Sequence, residues 1–196
     1  MKLLKGIELD RQVSKKANKW KDIKSEALEL LAFLDEKQGK FDGEYVSCYA
    51  LHHSQVSNDH YNFFVIAKNI HGKDKGQFMN RVIVNPIILE SPEKIEQMIP
   101  VKDFLKKPDD KVNVGFKMQK QIINNVYDPV EGCMSFPQRK GKHMDRFFKI
   151  KVQYQIPILG GLILLKRTEW LEGLKAHIFQ HEVDHANGIT QFYNNK

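Results

Sequence analysis

Near the C-terminal end of the chain stand Gln180, His181, Glu182, Val183, Asp184 and His185, an HExxH motif. Two imidazoles four positions apart converge on one point when the backbone is helical, because a helix of about 3.6 residues per turn stacks position i almost above i+4. The motif therefore calls for a helix, and for a pocket beside it, since two inward histidines and a carboxylate are costly to bury without a function. Such a pair suits a metal ion, with Glu182 placed to handle the proton of a water held there, and this points to metal-assisted hydrolysis. The bland alternative is a pair of core histidines bonded to carbonyls.

The flanking residues extend the helical frame. Leu171, Leu174, Ile178, His181 and His185 recur at three- and four-residue steps along one stripe. On this reading Thr168 is the N-cap, Glu169 and Glu172 sit at the positive end of the helix dipole, and Gly188 marks the stop.

The rest of the chain frames this helix. A length of 196 residues with 41% hydrophobic content suits one domain over 1–196 with its own core. No stretch reaches membrane-spanning length, and the first eight residues lack the long apolar run of a secretory signal, so the cytoplasm is the expected compartment. Cys48 and Cys133 are the two cysteines. They give no disulfide framework and leave each thiol available as a ligand, a single disulfide being the alternative. The formal net charge of +7 suits nucleic acid, an acidic surface such as the ribosome, or no specific partner. The lysines are spread over 15–24, 106–120 and 140–142, which reads as solvated surface, with no specific nucleic-acid partner and no membrane partner.

Along the chain, Ile23, Ala27, Leu28, Leu30, Leu31, Phe33 and Leu34 predict an amphipathic helix over 22–37. The runs 63–67 and 81–85 read as buried strands separated by a turn at 71–76, with Pro86 ending or marginalising the second. Between Leu89 and Asp128 the pattern weakens around Pro92, Pro100 and Pro108, and a long surface excursion is expected there. The stretch 147–154 alternates as a strand, and Gly160 and Gly161 offer a turn before 162–165. The expected class is α+β, with small mixed or antiparallel sheets around a central C-terminal helix and a second helix near the N-terminus.

A catalytic metal site commonly has three protein ligands and an open position, so one more donor is needed. Cys133 is the candidate, although a lone Cys is usually a small buried hydrophobe. It lies in Glu131, Gly132, Cys133, Met134, Ser135, Phe136 and Pro137, where the glycine before the thiol permits close backbone approach. With EGCMS and QHEVDH both present and in this order, the chain resembles the peptide deformylases, whose corresponding motifs read EGCLS and QHExDH. The likeness extends to Val84, Asn85, Pro86, Ile87, Ile88 and Leu89 and to Gly173 and Leu174, and covers about 45 to the C-terminus. The first family motif, GxGLAAxQ, is eroded. Aligned on its glutamine, the chain reads Cys48, Tyr49, Ala50, Leu51, His52, His53, Ser54 and Gln55, keeping Leu51 and Gln55 but replacing both glycines. The spacing between Leu89 and Glu131 exceeds the family pattern and marks an insertion around 90–128, suited to a lid, a docking element or a neutral loop.

The resemblance implies hydrolysis of the formyl amide of an N-formylmethionyl peptide or nascent chain, releasing formate. It implies one divalent ion on Cys133, His181 and His185, with Glu182 as proton carrier and the Gln55 amide and Met134 backbone N–H as donors to the developing oxyanion. Ala50, Leu51, Glu131, Gly132, His177 and Ile178 are the implied substrate-binding residues. One Cys and two His suit Fe²⁺, Zn²⁺, Ni²⁺ or Co²⁺, with Fe²⁺ first by resemblance. Asp184 is expected to steady the site by a hydrogen bond or by an ion pair with Arg139 or Arg146. Two readings compete: a divergent deformylase-like metal-binding protein with altered substrate or little activity, and an HExxH zinc peptidase. The latter needs a later His or Glu ligand, which the sequence after the helix lacks.

Overall fold

The computed structural model describes residues 1–4, 13–37, 49–68, 80–106, 112–127, 129–136 and 141–190. Cys48, Arg139 and the turn expected at 71–76 lie outside them. In chain order the elements are α1 (Trp20–Glu36), β1 (Ala50–His52), β2 (Phe63–Ile66), β3 (Val82–Glu90), β4 (Lys94–Lys106), β5 (Val112–Asn124), β6 (Val126–Tyr127), β7 (Val130–Glu131), β8 (Lys142–His143), β9 (Arg146–Phe147), β10 (Lys149–Ile158), β11 (Ile163–Glu172) and α2 (Leu174–Ala186). The α+β class and the antiparallel sheets agree with the expectation.

α1 forms where the sequence places apolar residues at helical steps. Trp20, Ile23, Ala27, Leu30 and Leu34 are its buried face, and it packs on β2 and β1. The central sheet has the order β1-β2-β3-β10-β11, antiparallel throughout. Along β10, Ile150, Val152, Tyr154 and Ile156 are buried and alternate with half-buried neighbours, the period-two pattern of a sheet with one face on the core. The core closes on α2 through Phe179, whose ring meets Phe64 edge-on at 5.7 Å and lies 6.1 Å from Tyr154. β10 and β11 are joined by a tight turn at Leu159–Gly161. Gly161 (φ +92) lies so close to Trp20 that an added Cβ would fall 1.8 Å from its ring, so the absent side chain lets α1 seat on this turn.

Four elements differ from the sequence expectation. The stretch from Ile163 to Glu172 is strand, not the start of a helix: it pairs with β10 over ten residue pairs. Thr168 is therefore not an N-cap, Glu169 and Glu172 are not in a first helical turn, and Leu171 faces the core from a strand. The helix begins at Leu174 after Gly173 (φ 58, ψ −131). Its far end is as expected, with Gly188 at φ 72 and N–H bonds from Gly188 to His185 and from Ile189 to Asp184, a Schellman ending.

Pro86 does not end β3. Val84 pairs with Gln155 and Ile87 with Gln153, so Asn85 and Pro86 together oppose Tyr154. This bulge, with Asn85 at φ 50, is what admits a proline into an interior strand. The excursion after Leu89 is a long hairpin, β4 with β5, paired in unbroken register from Lys94–Asn124 to Lys106–Val112. The strand expected over 147–154 is divided into β9 and β10, and β9 turns aside to pair with β6. No helix among the described residues is long and apolar enough to cross a membrane.

Candidate metal centre

α2 carries His181 and His185 one turn apart, with ring centroids 4.8 Å from each other. The segment after β7 brings Cys133 to the same place, its Sγ 3.4 Å from His185 Nε2. One ligand atom from each of Cys133, His181 and His185 lies within 4.8 Å of the others, and among the described residues this is the one such cluster of His, Cys, Asp or Glu. The thiol is free. A thiolate and two imidazoles are a donor set suited to a borderline divalent ion, and their convergence fits a bound one.

The ligand orientation comes from a buried carboxylate. Glu131 is 3% exposed and each of its oxygens meets two donors. His181 Nδ1 lies 2.9 Å from Oε2, and His177 Nε2 lies 2.6 Å from Oε1. Arg146 donates Nη2 to Oε2 at 2.9 Å and Nε to Oε1. With His181 Nδ1 occupied in this way, its Nε2 is left for a metal. Burial alone would raise the Glu131 pKa, but the bonds from Arg146, His177 and His181 outweigh it and hold the carboxyl far below the usual range. Burial lowers Arg146, yet Glu131 and Asp184 together raise it. Arg146 Nη1 reaches Asp184 Oδ2 at 2.6 Å, so the ion pair expected for Asp184 is made with Arg146.

Gln180, the first residue of QHEVDH, fastens the helix. Its Nε2 donates to the carbonyls of Phe147 and Ala176, and its Oε1 accepts from Phe147 N–H. Glu182 is 2% exposed, and its Oε2 has no hydrogen-bond partner. Desolvation lifts its pKa to about 7, with His181 opposing and Glu131 and Asp184 adding to the rise. A buried carboxyl with a bare oxygen, poised near neutral pH, has the properties of a general acid–base.

Gln55 comes from the opposite wall, in the short turn His53–Gln55. Its Nε2 points at Cys133 Sγ (3.5 Å) and Ser135 Oγ (3.2 Å). The other candidates are distributed unevenly. Gly132 is exposed, and a Cβ there would meet nothing within 4 Å, so the space beside Cys133 is open. His177 is 18% exposed, one turn before His181. Met134, Ala50, Leu51 and Ile178 are buried in the core cluster. Leu51 at 0% exposure supports the site from behind.

Sequence reasoning named Arg146 as one of two options and missed Ser54 and Ser135. It gave His52 no role of its own. A signal existed in the spacing from His52 to Gln55, which matches a capping box, but histidine is not among the residues that usually open one.

One thiol and two imidazoles that could hold a metal ion thus stand with a buried acid and an amide aimed at the thiol. The sequence profile of polypeptide deformylase matches residues 9–195, and the chain belongs to that family. A peptide deformylase from Thermus thermophilus is 40% identical over 67 residues, 34% of this chain and 32% of that protein. The chloroplastic peptide deformylase 1B of Oryza sativa subsp. japonica is 39% identical over 79 residues, 40% of this chain and 26% of that protein. The matched segment thus spans about a third or less of these curated relatives. The crystal structure of peptide deformylase from Thermotoga maritima superposes with a TM-score of 0.58 over 97% of this chain and 94% of that one, at 24% identity, which establishes the shared fold. Membership of this family sets the zinc-peptidase reading aside.

Proposed function

We propose that this protein hydrolyses the formyl amide of N-formylmethionyl peptides, including nascent chains, to formate and a free N-terminal amine. The observation that carries the reading is the arrangement at one point of Cys133, His181 and His185, the bare oxygen of buried Glu182 and the Nε2 of Gln55.

Cys133, His181 and His185 would hold a divalent ion, with Fe²⁺ first and Zn²⁺, Ni²⁺ or Co²⁺ as alternatives. When bound, such an ion supplies Lewis-acid polarisation of the formyl carbonyl and acidifies water. Glu182 receives a proton from the attacking water and passes it to the departing amine nitrogen, for which a pKa near the working pH is well matched. Gln55 Nε2 and the Met134 backbone N–H donate to the oxygen that gains charge as the carbonyl becomes tetrahedral. The open space at Gly132 receives the substrate backbone, and Glu131, His177, Ile178, Ala50 and Leu51 build the surrounding wall. Cytoplasmic working and contact with the acidic ribosome surface belong to the same reading, consistent with the charge of +7.

The test is formate release from formyl-Met-Ala-Ser by anaerobically purified, iron-loaded protein. Wild type releases formate, and Glu182→Ala is slower by at least about a hundredfold, the usual contribution of a positioned acid–base. Absence of release by fully metal-loaded wild type refutes the assignment.

A further inference from the structure

A primary amide acts as an oxyanion donor only if it presents nitrogen and not oxygen, and the two orientations differ by half a turn about one bond. In this protein the choice is made by the turn itself. The backbone N–H of His52 donates to Gln55 Oε1 at 2.8 Å, which leaves Nε2 facing Cys133 and Ser135. The reciprocal half is supplied by a side chain: His52 Nδ1 accepts from the Ser54 N–H at 3.1 Å and lies 2.9 Å from Ser54 Oγ. These contacts close a capping box, with imidazole in the place that Ser or Thr usually takes.

The turn is held on both sides. Ser54 Oγ reaches the carbonyl of the ligand His185 at 3.4 Å. From the other side the Leu4 N–H donates to the Gln55 carbonyl at 2.8 Å, with Leu3 buried in the core. His52, Ser54 and Gln55 are at most 2% exposed, so these contacts are shut off from solvent, and with Nδ1 accepting, the ring's proton sits on the buried Nε2, which has no hydrogen-bond partner. Nδ1 accepts only when unprotonated, and burial, with help from neighbouring His60, keeps the ring neutral.

We infer that His52 is a positioning residue: its buried imidazole closes the capping box that turns the Gln55 amide nitrogen toward Cys133 before substrate arrives. The kinetic consequence rests on the deformylation reading, whereas the amide orientation does not. A histidine that merely filled the core would affect stability alone.

Two variants and two readouts separate these cases. His52→Ala removes the acceptor, so kcat for formyl-Met-Ala-Ser falls by at least about tenfold, toward the loss expected from an absent oxyanion donor, with KM within about twofold. His52→Asn offers a carbonyl oxygen to the same N–H and restores most of kcat. Gln55→Ala then costs little further in the His52→Ala background, because coupled residues are not additive. Independently of turnover, the Gln55 side-chain amide pair in nitrogen–proton spectra of the zinc-loaded protein is well dispersed in wild type and His52→Asn and collapses toward free-amide positions in His52→Ala. Unchanged kcat and amide signals in His52→Ala, or equal damage from Asn and Ala, overturn the inference. Wild type that releases no formate while its Gln55 amide responds as described refutes the function and leaves the role of His52 standing.

Discussion

Glu131 shows how much one side chain organises here. Its two oxygens meet four donors from three side chains, drawn from β9 and from two positions on α2. Glu131→Gln keeps the shape but removes the charge opposite Arg146, which is 7% exposed and retains only Asp184. Breaking a buried ion pair from one side costs about 3 kcal/mol or more, and losing the partner of a ligand imidazole weakens metal binding by about 10–100-fold. Urea unfolding of the metal-free form and a zinc competition titration measure the two effects; a variant unchanged in both would show that Glu131 orients nothing. Cys133, His181, His185 and Glu182 were legible in the sequence because helical spacing and an adjacent glycine are local features. The contact of Arg146 with Glu131 spans 15 positions and that with Asp184 spans 38. No local pattern encodes them, which is why Arg139 and Arg146 read alike.

At the scale of elements, β11 is the instructive case. Leu171, Leu174 and Ile178 recur at helical steps, but the ten pairs with β10 claim everything before Gly173 for the sheet. Gly173, whose own N–H bonds to the Phe148 carbonyl, then turns the chain into α2. The β4–β5 hairpin is the opposite case, since its strands form a sheet with each other and, among the described residues, join no other. It is secured at its base by Asn125, whose Nδ2 donates to the carbonyls of Pro92 and Lys149 and whose Oδ1 accepts from Lys149 N–H. If the hairpin is an insertion on a complete core, replacing 96–122 with a short Gly-Ser link that keeps Asn125 leaves Tm within a few degrees and zinc stoichiometry at one. Far-UV circular dichroism would lose only the strand signal of the excised residues. Loss of cooperative unfolding would show instead that the hairpin supports the core.

At the scale of the whole molecule, the buried histidines set how stability responds to acid. His53 is 2% exposed, stacks on Phe63 at 4.6 Å and accepts from the Tyr61 N–H. Burial, aided by His60, lowers its pKa to about 4. In the unfolded chain the ring takes a proton below about pH 6.5. The stability due to the neutral ring is therefore complete above pH 6.5 and is lost as pH falls toward 4. Relative to His53→Asn, wild type loses about 1.4 kcal/mol per pH unit across that window, one proton's worth. Urea unfolding at several pH values checks the slope, and parallel curves would mean the ring protonates freely in the fold. The chain by itself determined the cluster of Cys133, His181 and His185, the acid beside it, α1 and the α+β class, because helix periodicity and motif spacing are properties of neighbouring residues. Only the tertiary structure decided where β11 yields to α2, how a bulge admits Pro86, which arginine clamps Glu131 and which atom of Gln55 faces the thiol. Each of those depends on hydrogen bonds and charges between segments far apart in sequence, whose meeting exists only once the sheet has formed.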